Sequence, residues 1–137
     1  MQVDGKGKTS LENIKAIEKL LSDFSEENGD LIDAFYYCYH HPEGIVPGYS
    51  KHCRCRKPGT LFLEEAIINF SLDARRCWFI GDRDTDVKCG KSVGFYTIKI
   101  ENKHSADKSG LEEPDFFADN LLDATIKLIN IKHEMNI

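Results

Sequence analysis

Cys77-Trp78-Phe79-Ile80-Gly81-Asp82-Arg83-Asp84-Thr85-Asp86 is the stretch on which the fold turns. Its first four residues are apolar without interruption, the pattern of a parallel strand covered on both faces. The strand ends at Gly81, and carboxylates follow at every second position. Asp84 or Thr85 is placed to cap a helix that carries Val87 and Val93 and stops at Gly94. Phe95 to Ile100 then predicts the next strand.

Upstream, Thr9 with Glu12 three residues on reads as a capping box. Leu11, Ile14, Ile17, Leu21 and Phe24 recur at helical spacing and predict one apolar face. Ser25 to Asp30, with Asn28-Gly29, ends that helix, and Leu31 to Tyr37 predicts a short strand. Pro58-Gly59-Thr60 launches a second helix with Leu63, Ala66, Ile67 and Phe70 on its buried side, and Ser71 to Arg76 is a polar turn. Downstream, Glu101 to Glu113 reads as a charged surface loop, and Asp115 to Ala118 as an edge strand. Asn120 caps a last helix with Leu121, Leu122, Ala124, Ile126, Leu128 and Ile129. Helix and strand alternate, which predicts an α/β fold with a parallel sheet, flanking helices and right-handed crossovers. In such sheets ligands bind beyond the carboxyl ends of the strands.

The 137 residues suit one small domain, residues 1–137. A net charge of -5 without long acidic or basic runs argues against a nucleic-acid or membrane surface. No segment has the length of a membrane span, and no signal peptide is recognised. Five cysteines is an odd count, so metal-bound thiolates in a reducing, cytoplasmic setting fit better than a disulfide framework. Gly7-Lys8-Thr9 ends like a phosphate-binding loop, but position 2 is Gln2 where that motif needs glycine, and no strand precedes it.

Three of the cysteines fall in one Gly- and Pro-containing loop, residues 38–57. Cys38-x-His40 and Cys53-x-Cys55 together supply three thiolates and one imidazole, a tetrahedral first shell for zinc. A closed set of four leaves no position for water, so the zinc is structural. His41 or His52 could stand in for His40. The plainer reading, buried thiols beside surface histidines, fits one Cys-x-Cys well but not two pairs bracketing one loop.

Asp82 and Asp86, following a strand and a glycine, are placed to hold Mg²⁺, which prefers oxygen ligands and commonly accompanies phosphate. The plainer reading is helix capping, to which Asp84 and Thr85 are assigned. Lys57 can neutralise phosphate charge and Arg56 can grip a phosphate through its fork. An Arg-Lys pair alone is more often a solvated pair; its place directly after the cysteine loop is what singles it out.

Gly81-Asp82-Arg83-Asp84-Thr85-Asp86 resembles the fourth motif of the haloacid-dehalogenase (HAD) phosphatase superfamily. Cys38-x-His40 with Cys53-x-Cys55-Arg56-Lys57-Pro58 resembles the zinc loop of its heptose-bisphosphate and histidinol-phosphate phosphatase branch. The twelve residues between His40 and Cys53 resemble the longer loop of the heptose 1,7-bisphosphate 7-phosphatases. The resemblance runs from about Thr9 to the final helix. It implies structural zinc on Cys38, His40, Cys53 and Cys55, Lys57 on the transferred phosphate and Arg56 orienting the substrate. It also implies Mg²⁺ on Asp82 with Asp86 supporting from behind, and Arg83 facing the substrate phosphate. The implied reaction is hydrolysis of a phosphorylated sugar through a phosphoaspartate.

The family pattern also has an Asp-x-Asp-Gly-Thr nucleophile strand and a Thr/Ser-Asn-Gln motif, and neither occurs here. The only Asp-Gly is Asp4-Gly5. The expectation is therefore the carboxy-terminal part of a HAD-like domain, its sheet lacking the nucleophile strand. Such a chain is inactive alone, or is completed by an amino-terminal complementing fragment; a non-catalytic zinc-stabilised module is the third reading.

Overall fold

The computed structural model describes residues 11–38, 53–101 and 112–135. They fall in two compact units, Met1–Arg56 and Lys57–Ile137. The expected cap at Thr9, most of the cysteine loop and most of the charged loop after Glu101 lie outside the described residues.

In the first unit, helix α1 spans Leu11–Glu27. It ends as its sequence requires. Gly29 takes φ +91° and Asp30 φ +57°. The Asp30 N–H donates to Ser25 O at 2.7 Å, the long closing bond of a Schellman turn. Ser25 is buried, and its hydroxyl accepts the Ile32 N–H at 2.7 Å. The expected apolar face is only partly covered. Ile14 is buried and Ile17 half-buried, but Leu11, Leu21 and Phe24 are exposed. The strand expected over Leu31 to Tyr37 is not formed, for this segment finds no ladder partner among the described residues and its first residues face solvent. Apolar composition alone does not make a strand; a partner does.

The second unit holds helix α2 (Leu61–Phe70), a 3₁₀ turn (Ala74–Arg76), strand β1 (Trp78–Gly81), helix α3 (Asp84–Ser92), strands β2 (Tyr96–Ile100) and β3 (Phe116–Ala118), and helix α4 (Leu121–Met135). The strands form one parallel sheet in the order β1-β2-β3. Trp78 is opposite Tyr96, Gly81 opposite Lys99, and Ile98 opposite Phe116. Phe70, expected on the buried side of α2, is 45% exposed. It is the last residue of the helix, and Ser71 at φ 51° turns the chain away immediately after it.

Alternation sorts the side chains onto two faces. On one, Ile98, Ala118 and Ala124 form the core, with Trp78, Ile80, Ile100, Phe116 and Leu128 packed around it. This face belongs to α4. Asn120 caps α4 as expected, its Oδ1 accepting the Asp123 N–H at 2.8 Å. Trp78 stacks on Tyr96 with ring centroids 4.8 Å apart, and its ring is 5.9 Å from that of Phe116. On the other face, Phe79, Thr97 and Lys99 lie under α3. Thr97 is fully buried and locked by Asp115, whose Oδ2 accepts the Thr97 N–H at 2.7 Å and its hydroxyl at 3.1 Å. That pair ties the start of β3 to β2.

Gly90 makes the close contact of α3 with the sheet. A Cβ there would lie 2.8 Å from Phe79 Cβ and 2.9 Å from Thr97 Cγ2. Alanine gains about 1 kcal/mol of helix propensity over glycine, but overpacking costs about 1–3 kcal/mol. Gly90→Ala is therefore expected to be neutral to destabilising by up to about 2 kcal/mol in denaturant unfolding. A clearly raised midpoint would mean that α3 does not seat on the sheet at this residue.

Candidate active site

The site is built at the carboxyl end of β1, where Gly81 hands the chain to α3. Asp86 is its centre. Its Oδ2 accepts the N–H groups of Asp82 and Arg83, each at 3.1 Å. Its other oxygen meets the Lys57 ammonium in an ion pair; the Asp86 side chain is 4% exposed and that of Lys57 42%. Lys57 Nζ also sits 6.0 Å above the centre of the Phe79 ring. One buried carboxylate thus fixes the turn and aims the lysine.

Gly81 makes this possible. A Cβ at that position would fall inside the Asp86 carboxylate. Arg83, not Asp84 or Thr85, is the helix N-cap, and Asp84 and Thr85 are the first helical residues. The correction has a plain cause. Asp86 at the third helical position reaches back to the cap's own N–H, so the cap falls three residues before it. Two carboxylates in the first turn also suit the positive end of the helix.

The expected site residues can now be placed. Asp82 is half-buried directly after β1, and Arg83 is exposed. Arg56, in the first unit, carries a buried Nη1 without a hydrogen-bond partner among the described residues. A guanidinium nitrogen left so is costly unless an anion meets it. The Lys57–Pro58 peptide bond is cis.

Asp84 has a role the sequence reading did not assign. It is buried, and its carboxylate takes the ammonium of buried Lys99 at 2.5 Å. The signal was available in part: a lysine between Ile98 and Ile100 in a core strand needs an acid partner, but the sequence reading assigns Asp84 to helix capping. Cys89 is one of the two cysteines outside residues 38–57. It lies on α3, 2% exposed, with its Sγ donating to Gly59 O at 3.4 Å. Burial pushes its thiol pKa up, Lys57 pulling it back and Asp86 adding to the rise. Cys89 is accordingly an inert neutral thiol.

The cysteine loop belongs to the first unit. Cys38, Cys53 and Cys55 bring their sulfurs within 4.8 Å of one another. Cys38 Sγ and Cys55 Sγ are 2.9 Å apart, and the Cys55 N–H donates to Cys53 Sγ at 3.2 Å. The Cys53 and Cys55 sulfurs are in bonding contact. Oxidised, that pair offers no thiolate; reduced, the loop presents three convergent soft ligands, one of them buried. The donor set fits zinc in its reduced form. His40, His41 and His52, the candidates for a fourth ligand, lie outside the described residues.

At β1 the donor set is small. One half-buried carboxylate, Asp82, fits a Mg²⁺ ion that keeps most of its water and shares a phosphate oxygen. Asp86 is already committed to two N–H groups and Lys57.

Residues 54–124, just over half of the chain, match the model of the HAD-hydrolase-like family. A D-glycero-alpha-D-manno-heptose-1,7-bisphosphate 7-phosphatase of Photorhabdus laumondii is 38% identical over 74 residues, 54% of this chain and 40% of its own length. A D-glycero-D-manno-heptose-1,7-bisphosphate 7-phosphatase of Chlorobaculum tepidum is 29% identical over 123 residues, 86% of this chain and 61% of its own. The chain thus spans about half the length of the curated relatives it matches. Among solved structures, the D,D-heptose 1,7-bisphosphate phosphatase of B. bronchiseptica, complexed with magnesium and phosphate, superposes with a TM-score of 0.70. That likeness, at 19% identity over 89% of this chain and 66% of the other, is one of fold.

Proposed function

This chain belongs to the HAD-hydrolase-like family, and on that footing we propose that it carries the phosphate-holding part of a phosphomonoester hydrolase. The observation that carries the reading is the Lys57–Asp86–Asp82 arrangement beyond β1. Lys57 is aimed by a buried carboxylate, and its side chain stays partly exposed, so that it would be open to phosphate oxygens. Arg56, next in sequence to Lys57, would orient the substrate through its guanidinium fork. The positive end of α3 adds to the attraction. Asp82 would hold the Mg²⁺ ion, Asp86 would support it from behind, and Arg83 would face the substrate phosphate. When bound, the ion supplies charge neutralisation on the transferring phosphoryl group.

The substrate in this reading is a sugar bisphosphate of the D-glycero-D-manno-heptose 1,7-bisphosphate type, supported by the relatives' names and by the loop length between His40 and Cys53. Histidinol phosphate is the second candidate and serves as the control substrate. Cys38, His40, Cys53 and Cys55 would hold a structural zinc ion, which a reducing cytoplasmic setting would preserve.

No Asp-x-Asp-Gly-Thr occurs among the 137 residues. The nucleophile and the acid–base group would therefore come from a complementing segment. The test is phosphate release from the heptose bisphosphate with Mg²⁺, by this chain alone and with an added polypeptide carrying a relative's nucleophile strand. Release is expected only from the mixture. Lys57→Ala is expected to lower it by at least about a hundredfold, the scale of losing a preorganised charge on the transferring group. Turnover by the chain alone would contradict the borrowed nucleophile, and none from either would sink the phosphatase reading.

A further inference from the structure

The Lys99–Asp84 pair is more than this fold needs. Both side chains are less than a tenth exposed, at 9% and 8%. Burying two charges costs several kcal/mol, and apolar residues of the same volume commonly stabilise a core as well or better. A buried pair retained in such a place is suited to fixing a geometry.

The place is specific. Lys99 is opposite Gly81 on the α3 face of the sheet, one strand over from the turn. Asp84 is the first residue of α3. Between Gly81 and Asp84 lie only Asp82 and Arg83, whose N–H groups Asp86 holds. Asp86 is two residues beyond Asp84 on the same first helical turn. Any slide of α3 along the sheet would move Asp86 away from those two N–H groups and from Lys57 together.

We propose that Lys99 and Asp84 are positioning residues: their ion pair pins the first turn of α3 to β2 and thereby sets the Asp82 carboxylate and the Lys57 ammonium at their working separation. This rests on the reading of the turn as the Mg²⁺- and phosphate-facing loop. Thr97, locked by Asp115, holds β2 to β3 below the pair, so the anchor is itself fixed. Asp84 meets Lys99 from α3; in the sheet its register partners are Gly81 of β1, which has no side chain, and the apolar Phe117 of β3.

The test is amide hydrogen exchange on the chain without ligand. The double variant Lys99→Met/Asp84→Leu removes both charges and keeps an unbranched chain at one position and the branched outline at the other. Lys99→Gln/Asp84→Asn keeps a hydrogen bond without charge. In the first variant the Asp82 and Arg83 amides are expected to exchange at least about tenfold faster, while amides inside α3 and β2 keep their protection. The second variant is expected to recover part of the loss. Equal protection in a folded Lys99→Met/Asp84→Leu protein would overturn the proposal, for the pair would then be ordinary packing. Failure of both variants to fold would overturn it too, making the pair an element of stability. The exchange is read without metal or phosphate. A separate Mg²⁺ titration of the unaltered chain tests whether the turn binds that ion, so either claim can fail alone.

Discussion

Gly81→Ala is expected to dismantle the site with a single methyl group. The added Cβ would occupy the space of the Asp86 carboxylate, so Asp86 must swing out. Two N–H groups of the turn then lose a charged acceptor, each such bond being worth about 1.5–3 kcal/mol. Lys57 loses its buried partner as well. The expected fall in unfolding free energy is about 3–5 kcal/mol, at the upper end for a point substitution. Denaturant unfolding measures it, and amide exchange at Asp82 and Arg83 localises it. Unchanged stability together with protected Asp82 and Arg83 amides would show that Asp86 does not hold the turn.

Reduction followed by zinc is the second large effect. With Cys53 and Cys55 reduced, the chain is expected to take up one zinc ion, because three sulfurs already converge within 4.8 Å. Structural zinc in small peptides binds with about 10–16 kcal/mol at neutral pH, and that free energy becomes folding free energy where the site forms only on folding. Cys55→Ser removes the buried ligand and is expected to abolish stoichiometric uptake and to lower the melting temperature of the zinc-loaded protein to that of the chelator-treated one. Lys57→Ala is expected to leave uptake intact. Metal analysis with thermal unfolding reads both. A Cys55→Ser protein that still holds one zinc ion would remove the thiolate site from the account.

What could be read directly from residue order was the local chemistry. The run Cys77 to Ile80, the glycine after it and the helix beginning within Asp84-Thr85-Asp86 announce a strand, a turn and a helix, and those elements form with boundaries shifted by a residue. Asn120 and Gly29 do what their side chains, or lack of one, require. Partnership was harder to see. Leu31 to Tyr37 has the composition of a strand but no ladder partner among the described residues. Leu21 and Phe24 have helical spacing but are only partly covered. The site shows the same division. Asp82, Asp86 and Lys57 could be picked out as carboxylates and a cation in motif positions. That Asp86 aims Lys57, and that Lys99 claims Asp84, depends on the register between β1 and β2. Register is set by packing across the sheet and not by neighbours in sequence.

The most direct test of the central claim is binding of inorganic phosphate to this chain with and without Mg²⁺, followed by amide shifts. The account predicts binding only when both are present, with shifts at Lys57 and Gly59 and from Gly81 to Asp86, lost in Lys57→Ala and in Asp82→Asn. Phosphate binding that ignores Mg²⁺ and survives both substitutions, or no binding at all, would contradict it.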